Sequence, residues 1–446
     1  MKIKTLFTLS LAFALSAAGQ SQPLDKTKLD PFLDRLAGKH QAMGSLTIAK
    51  DGEVLYTRAI GYGQIDGVEK KPLNAASRFR IGSITKMFTA VMILQLVDEG
   101  KLQLTDPLDR FLPQVPNAPK ITLAQILAHR SGIPNVRRER DPQRNVNTLP
   151  ITKDEILALI VKATPDFEPD TRSLYSNSGF FLLGLIIEQV TGKSYAAALE
   201  ERITAKLGLK DTYTATGSID VSKGEALTYI ADGPGWKQGI ETHPSILFGA
   251  GQIVSTPHDL ARFIHALFAE KLISPESLTR MKTIRDGEGL GLEPFALGGK
   301  TFYGHAGGGD NYGAWLAYLP EEKLAIAYTT NAKVYPVPSI VNGIADLYYN
   351  RPVQIPSFET IVVSPEILDR YVGVYSSAEV PVKFTITRQG STLFIQPGKE
   401  SPAALEATAE DKFQLMGGRI VFEFDAAKKQ LLHKRGGPPK VFTKEE

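Results

Sequence analysis

Alternation of apolar and polar residues marks strands at two distant places in the chain. The segment SLTIAKDGEVLYTRAIGYG (45–63) alternates on both sides of Asp51–Gly52, which predicts a β-hairpin. The later segment GAWLAYLPEEKLAIAYTTN (313–331) contains two further strand patterns, joined through residues 320–323. Strands at both ends of a mainly helical region predict one antiparallel sheet with helices packed on it, an α+β fold.

Helical periodicity characterises three segments. LDKTKLDPFLDRLAGKH (24–40) has the spacing of an amphipathic helix, and FFLLGLIIEQVTGKSY (180–195) indicates a buried helix that ends at Gly192. RIGSITKMFTAVMILQLVDEG (80–100) is apolar around most of its circumference. We therefore expect this last helix to be enclosed by protein.

The chain changes character after residue 350. Pro352, Pro356 and Pro365 interrupt an extended stretch, and from about Ile367 short alternating strands are separated by turn residues. We expect a first domain over residues 24–350, a linker over 351–366 and a small all-β domain, a sandwich or partial barrel, over 367–446.

The first 20 residues have the layout of a cleaved secretory signal peptide. Lys2 and Lys4 precede an apolar stretch from Leu6 to Leu15, which is followed by small residues. A membrane anchor is the alternative, but this stretch is short for a span, and no later apolar segment is long enough. The sequence therefore predicts a secreted or periplasmic protein with no membrane span after cleavage.

Composition excludes several classes of function. The chain has no cysteine, so it has no disulfide, thiol nucleophile or thiolate metal site. Its net charge of +3 at pH 7 falls closer to zero without the two signal lysines, which leaves no field to attract nucleic acid. The seven histidines lack metal-ligand spacing, and we interpret His129 as buried and hydrogen-bonded. The glycine-rich GLGLEPFALGGK (289–300) lacks the setting of a nucleotide site, so we expect neither metal nor cofactor.

Ser83 and Lys86 stand three residues apart at the start of the helix predicted over residues 80–100, so their side chains share one face. A buried lysine must pair or lose its proton, and an unprotonated lysine is a base. A serine in the first helical turn feels the positive end of the helix dipole, which favours the anion formed after attack. The pair suits acyl transfer. Alternatively, Ser83 caps the helix and Lys86 reaches solvent, because chance supplies about one or two such spacings in a chain of this length.

Tyr175 and Asn177 stand two residues apart just before the helix of residues 180–195, so an extended backbone projects them to one side. A tyrosine relays protons if neighbouring cations lower its pKa, and an asparagine can hold both a substrate carbonyl and a lysine ammonium. The structural alternative is that Asn177 or Ser178 caps the helix and Tyr175 belongs to the core.

Glycines flank His305 in YGHAGGGDNYG (303–313) and remove side chains from the edge of a predicted strand. Bare backbone lets a substrate approach, the N–H of Gly308 can serve as an oxyanion donor, and His305 would line the same cleft. The alternative is a bulged hairpin that carries a surface histidine.

The motifs SITK (83–86), YSN (175–177) and HAG (305–307), in this order, resemble those of the serine β-lactamase and penicillin-binding protein superfamily. Connecting segments such as ITLAQILAHRSGIPN and AGQIVSTPHDLARF resemble its class C β-lactamases, D-alanyl-D-alanine carboxypeptidases, D-aminopeptidases and esterases. The resemblance covers residues 28–345, and the tail resembles a lipocalin-like domain. It implies the β-lactamase/transpeptidase-like fold.

The resemblance also implies a role for each matched position. Ser83 would be the acylated nucleophile and Lys86 its base. Tyr175 would activate the deacylating water or protonate the leaving group, and Asn177 would orient the substrate and Lys86. One departure precedes these residues, because Asp170 stands where the superfamily commonly has glycine, which affects the loop before Tyr175.

In the third motif, His305, Ala306 and Gly307 would bind substrate, and the backbone N–H groups of Ser83 and Gly308 would form the oxyanion hole. The β-lactamases of this kind usually carry a lysine where His305 stands, and histidine is only partly charged near neutral pH. We therefore expect a peptidase or esterase rather than a β-lactamase, and an activity that changes as His305 titrates.

Together these features predict a secreted serine hydrolase that cleaves an amide or ester of a small molecule or short peptide through an acyl-serine. Weak β-lactam hydrolysis would be a side activity. The alternative is a sensor whose cleft binds penicillin or cell-wall peptides without turnover. Arginines in NVRRERDPQRNVNTLP (135–150) would either bind an anionic group or be solvated, and solvation is the commoner case. The sequence carries no signal for the oligomeric state.

Overall fold

The computed structural model describes residues 26–136, 148–232, 235–353, 358–398, 400–415, 420–435 and 438–445. The predicted signal peptide (1–20) lies outside the described residues, as does most of the arginine-bearing loop. A six-stranded antiparallel sheet with its helices forms the larger part of the described chain, and a nine-stranded sheet forms the C-terminal part.

The helices are α1 (Lys26–Gly38), α2 (Thr85–Asp98), α3 (Leu123–Leu127), α4 (Lys153–Lys162), α5 (Asn177–Thr191), α6 (Tyr195–Leu199), α7 (Ala205–Leu207), α8 (Pro257–Phe268), α9 (Pro275–Lys282), α10 (Val337–Tyr348) and α11 (Pro365–Leu368). The strands before residue 350 are β1 (Ala42–Lys50), β2 (Glu53–Ile60), β3 (Tyr62–Asp66), β4 (Glu69–Pro72), β5 (Phe79–Arg80), β6 (Tyr213–Thr214), β7 (Tyr229–Asp232), β8 (Gly235–Gln238), β9 (Ile253–Ser255), β10 (Glu293–Leu297), β11 (Lys300–Gly308), β12 (Gly313–Leu319) and β13 (Leu324–Lys333).

The six-stranded sheet has the order β10-β11-β12-β13-β1-β2. Strand β1 pairs with β13, with Leu46 opposite Tyr328, so the early hairpin and the late strands form one sheet as predicted. Asp51 and Gly52 both have positive φ angles, 52° and 86°, which a two-residue type I′ turn requires. The α+β class predicted from the sequence is confirmed.

Helices cover both faces of this sheet. Helices α1 and α10 pack on one face and α8 packs on the other, where it joins the larger helical layer. Coverage on both faces explains why β1 is buried along almost its whole length rather than alternating. Helix α2 lies inside the helical layer and buries nearly all of its residues, including Lys86. Helix α5 ends at Gly192, whose φ is 67°, as its sequence predicts.

The C-terminal part is a nearly closed, barrel-like sheet of nine strands in the order β17-β16-β15-β14-β22-β21-β20-β19-β18. These strands are β14 (Gly373–Ser376), β15 (Phe384–Gln389), β16 (Thr392–Pro397), β17 (Ala403–Ala404), β18 (Glu406–Ala409), β19 (Lys412–Leu415), β20 (Ile420–Asp425), β21 (Gln430–Lys434) and β22 (Lys440–Lys444). Aromatic side chains such as Tyr371 and Phe424 stack in its core. Val363, within the stretch predicted as linker, also packs into this core. Across the described residues, the helices are too short or too polar to cross a membrane.

Candidate active site

Ser83 and Lys86 meet at the start of α2. Ser83 lies in a 3-10 turn (Gly82–Ile84) that leads into the helix, and the Lys86 side chain is completely buried. Lys86 Nζ lies 3.0 Å from Ser83 Oγ, 2.8 Å from Asn177 Oδ1 and 2.9 Å from the carbonyl oxygen of Ala250. These three oxygens compensate for the loss of water around a buried amine. The structure therefore contradicts the alternative in which Lys86 reaches solvent.

Tyr175 contacts both Ser83 and Lys86. Its hydroxyl donates to Ser83 Oγ at 2.6 Å, and Lys86 Nζ lies 4.7 Å from the centre of its ring. Burial raises the pKa of the Tyr175 hydroxyl well above its usual range, although the hydrogen bond to Ser83 opposes the rise. A proton relay through the phenolate would need neighbouring cations to lower this pKa. The structure does not show such a lowering. Tyr175 is a neutral hydrogen-bond donor.

Short-range contacts fix Tyr175 and Asn177. The ring of the buried His129 lies 4.4 Å from that of Tyr175, tilted by 34°, and His129 Nδ1 accepts from the N–H of Ser176. The interpretation of His129 as buried and hydrogen-bonded is confirmed. Ser176, rather than Asn177, caps helix α5, with its hydroxyl accepting from the N–H of Gly179. Asn177 is thereby free to face Lys86.

Asp170 shapes the loop that precedes Tyr175. Its φ is 66°, in the left-handed region that favours glycine, which is the residue expected at this position from the family resemblance. Its carboxylate accepts from Arg130 Nε at 2.6 Å and from Arg285 Nη1 at 2.7 Å. Arg130 also pairs with Asp286. These ion pairs connect the loop to the segment before β10.

The HAG motif lies in β11 directly beside Ser83. A Cβ at Gly307 would clash with the carbonyl oxygen of Ile81 and lie 3.2 Å from Ser83 N, so only glycine permits this approach. A Cβ at Gly82 would lie 2.5 Å from Gly308 N. The backbone N–H groups of Ser83 and Gly308, predicted as the oxyanion hole, therefore belong to two chain segments in direct contact. Ala306 follows His305 in β11 and precedes Gly307.

His305 is buried, with 1% of its surface exposed, which contradicts the alternative of a surface histidine. Burial, assisted by the charge of Lys86, lowers the pKa of His305 to about 3. The expectation that His305 is partly charged near neutral pH is therefore wrong, because a buried imidazole beside an ammonium is held neutral. An activity change through titration of His305 near neutral pH is no longer expected.

Two carboxylates that the sequence did not single out lie beside this group. Glu293 Oε1 is 3.5 Å from His305 Nε2. The nearby charge of Glu293 raises the pKa of Glu288. Burial is the largest cause that raises the pKa of each carboxyl group to about 7, and Lys86 acts in the opposite direction on both. Glu293 lies within GLGLEPFALGGK. A single charged residue between leucine and proline was the sequence feature that could have indicated it. Among the described residues, no cluster of His, Asp and Glu could hold a metal ion.

Comparison with known families decides the relationship. A family model described as Beta-lactamase matches residues 30–349. The chain belongs to the β-lactamase family. Penicillin-binding protein 4* of Bacillus subtilis is 25% identical to this family member, over 92% of this chain and 96% of its own. The D-alanyl-D-alanine-carboxypeptidase/endopeptidase AmpH of Escherichia coli is 26% identical, over 80% of this chain and 100% of its own.

A solved structure extends this similarity to three dimensions. D-Amino acid amidase from Ochrobactrum anthropi, complexed with D-phenylalanine, has a TM-score of 0.65 and 27% identity. The match covers 73% of this chain and 99% of the amidase. This β-lactamase-family member is accordingly an enzyme, a hydrolase, as its sequence predicted.

Proposed function

We propose that this hydrolase cleaves an amide or ester bond of a small substrate through an acyl intermediate on Ser83. The observation that carries the proposal is the position of Ser83 Oγ, 3.0 Å from Lys86 Nζ and 2.6 Å from Tyr175 Oη. A nucleophile within hydrogen-bonding reach of both a base and an acid is the arrangement that acyl transfer needs.

In the proposed acylation, the reacting form is the one in which the Lys86 ammonium has released a proton. Ser83 Oγ attacks the substrate carbonyl carbon, and the Ser83 proton passes to this amine. Tyr175, neutral because it is buried, donates its proton to the leaving nitrogen or oxygen as that bond breaks. The proton held on Lys86 then restores the Tyr175 hydroxyl. In the second half-reaction, water gives a proton to the same groups, its oxygen adds to the acyl carbon, and Ser83 departs with a proton.

The N–H groups of Ser83 and Gly308 are the proposed donors to the carbonyl oxygen, which becomes negative during both half-reactions. Close contact between Gly82 and Gly308 supports this pairing. Asn177, which accepts from Lys86, would orient that amine and contact the substrate. Ala306 and Gly307 would offer bare strand backbone to the substrate.

The names of the relatives indicate two kinds of substrate, a peptide that ends in D-alanine and the amide of a D-amino acid. We propose peptidase or esterase action as the main activity and β-lactam hydrolysis as a weak side activity. The neutral His305 supports this order, because it cannot provide the permanent cation that the resembling β-lactamases direct at a substrate carboxylate.

Labelling with a serine-reactive phosphonate or a fluorescent penicillin tests the proposal. One covalent adduct on Ser83 is expected in the wild type and none in Ser83→Ala, and undiminished labelling of that variant would overturn the assignment. Turnover of a chromogenic ester then separates the enzyme from a sensor. A labelled Ser83 with no turnover of any ester would favour the sensor.

We also propose that the protein is exported, which rests on the sequence of residues 1–20 alone. Protein recovered from the periplasm or medium is expected to begin near residue 20 by N-terminal sequencing. Recovery from the cytoplasm with Met1 retained or with an uncleaved signal would contradict export.

A further inference from the structure

Two carboxylates and a histidine lie near one another at the edge of the proposed catalytic site. Glu293 begins β10, His305 lies in the neighbouring strand β11, and Glu288 belongs to the segment that leads into β10. Glu293 Oε1 lies 3.5 Å from His305 Nε2, and 23% of the Glu293 side chain is exposed. The carboxylates are thus accessible, while the imidazole behind them is not.

The proton of His305 can be assigned from its contacts. Nδ1 lies 2.5 Å from the carbonyl oxygen of Ala306, and because a carbonyl only accepts, Nδ1 carries the hydrogen. Nε2 therefore presents a lone pair. It is buried without a hydrogen-bond partner and faces the Glu293 carboxylate, which is also an acceptor. When Glu293 is ionised, both atoms are acceptors, and a buried acceptor left without a donor is costly.

Neither carboxylate has a cationic partner of its own among the described side chains. The cation that acts on both is Lys86, whose amine already contacts Ser83, Asn177 and the Ala250 carbonyl. The Glu293 carboxylate also raises the pKa of Glu288 in this partly buried site. A cation that enters from the cleft would remove this unfavourable interaction.

The backbone prevents the acidic segment from moving away. Gly291, with φ of 70°, donates its N–H to the Leu127 carbonyl at 3.0 Å, and a Cβ there would lie 2.8 Å from Ala90 Cβ on α2. On its other side, Arg285 pairs with Asp170 in the loop before Tyr175. The carboxylates are therefore held beside the helix that carries Lys86.

We propose that Glu288 and Glu293, with the buried His305 behind Glu293, bind a protonated amine of the substrate. An ammonium group has three N–H donors, and the two carboxylates offer acceptor oxygens that carry negative charge when ionised. The substrate class is thus an ester or amide that bears a free primary amine, on its acyl part or on its leaving group. This inference rests on the proposed acyl transfer to Ser83. A substrate carboxylate at the same position would be repelled.

Matched chromogenic esters test the inference in the full-length protein. In the first pair the amine is on the acyl part, as an alanyl ester and its des-amino propionyl counterpart. In the second pair the amine is on the leaving alcohol, and the neutral counterpart has a methyl group in its place. We expect kcat/KM for the amine-bearing member of one pair to exceed that of its neutral counterpart by at least about tenfold, as charged hydrogen bonds give. In the variant Glu288→Gln/Glu293→Gln this preference should fall to within about twofold, with the change mainly in KM.

The neutral ester serves as the folding and catalysis control for each variant. Glu225→Gln is the matched variant, because Glu225 is buried and accepts from Tyr213 at 2.8 Å outside this group, so it should keep the wild-type preference. If the double variant does not fold, inhibition of neutral-ester turnover in the wild type by propylammonium but not by propanol supports the site.

The outcomes separate the two proposals. Turnover of the neutral ester without preference for either amine-bearing ester overturns the ammonium site alone, as does a preference that survives in the double variant or equal inhibition by propanol. Absence of turnover for all esters, with no adduct on Ser83, overturns the proposed function and this inference with it.

Discussion

Ser83 Oγ and Tyr175 Oη lie 2.6 Å apart, with the phenol as the donor. Because burial holds the phenol neutral, this contact supplies Ser83 with an acid in addition to the amine of Lys86. The serine thus lies between one group that can take a proton and one that can give it. This division of roles leads to separate predictions for the two partners.

Replacement of Tyr175 by phenylalanine should keep the ring contact with His129 and remove only the hydroxyl. If Tyr175 protonates the leaving group, kcat/KM for an anilide should fall by about 10²- to 10⁴-fold. The p-nitrophenyl ester should lose much less, because its leaving group needs no proton. Tyr195→Phe is the control, since Tyr195 is buried and its hydroxyl contacts Thr89. Equal losses for both substrates would contradict the role as acid.

Replacement of Lys86 by methionine fills the same space without the amine. We expect acylation of Ser83 by a phosphonate to slow by about 10²- to 10⁴-fold, as loss of a general base does, while the far-UV circular dichroism stays unchanged. Lys101→Met provides the comparison, because Lys101 lies just beyond the far end of the same helix, exposed and paired with Glu99. Labelling of Lys86→Met at the wild-type rate would exclude this lysine as the base.

Local patterns predicted the α+β fold and indicated the candidate catalytic residues, but they left a structural alternative open for each candidate. The burial of Lys86 follows from apolar neighbours around the whole of α2, and the Asp51–Gly52 turn follows from its residue types. The position of Glu293 beside His305 depends instead on how β10 pairs with β11, which no local pattern encodes. The charge of His305 was wrongly expected because burial, not residue type, determines its pKa.

The raised pKa values of Glu288 and Glu293, about 7 from a usual 4.5, make stability depend on pH. Between these values the folded state retains protons that the unfolded state has lost. Stability should therefore decrease as pH rises from 4.5 to 7, by at most about 1.4 kcal/mol per pH unit for each carboxyl group. Urea unfolding at about pH 5 and pH 7 measures this slope. The variant Glu288→Gln/Glu293→Gln should show a flatter dependence, and an unchanged slope would contradict the assignment.

Asp170 combines a left-handed backbone with two ion pairs, and substitutions can separate these effects. Asp170→Gly relieves the left-handed backbone but removes the ion pairs with Arg130 and Arg285. Asp170→Ala removes the same ion pairs without relieving the backbone. We expect Asp170→Ala to lower the free energy of unfolding by about 1–3 kcal/mol, because Arg130 is 4% exposed and loses one of its two carboxylate partners, keeping Asp286 and the backbone carbonyl of residue 170. Asp170→Gly should lie between Asp170→Ala and the wild type. Wild-type stability in Asp170→Ala would mean that the ion pairs contribute nothing.

Gly82 tests the proposed oxyanion hole through the backbone alone. Alanine at this position must adopt a φ of 53° and direct a Cβ at 2.5 Å from Gly308 N, so the two segments must separate. Loss of one oxyanion donor reduces kcat by about 10²- to 10³-fold, and we expect a loss of at least this size in Gly82→Ala. Gly192→Ala is the matched control, because Gly192 has a φ of 67° and open space around it. That variant should lose about 1–2 kcal/mol of stability through its left-handed backbone and keep its kcat. If the two alanine variants lose stability equally and both retain wild-type turnover, Gly308 is not held against Ser83 as an oxyanion donor.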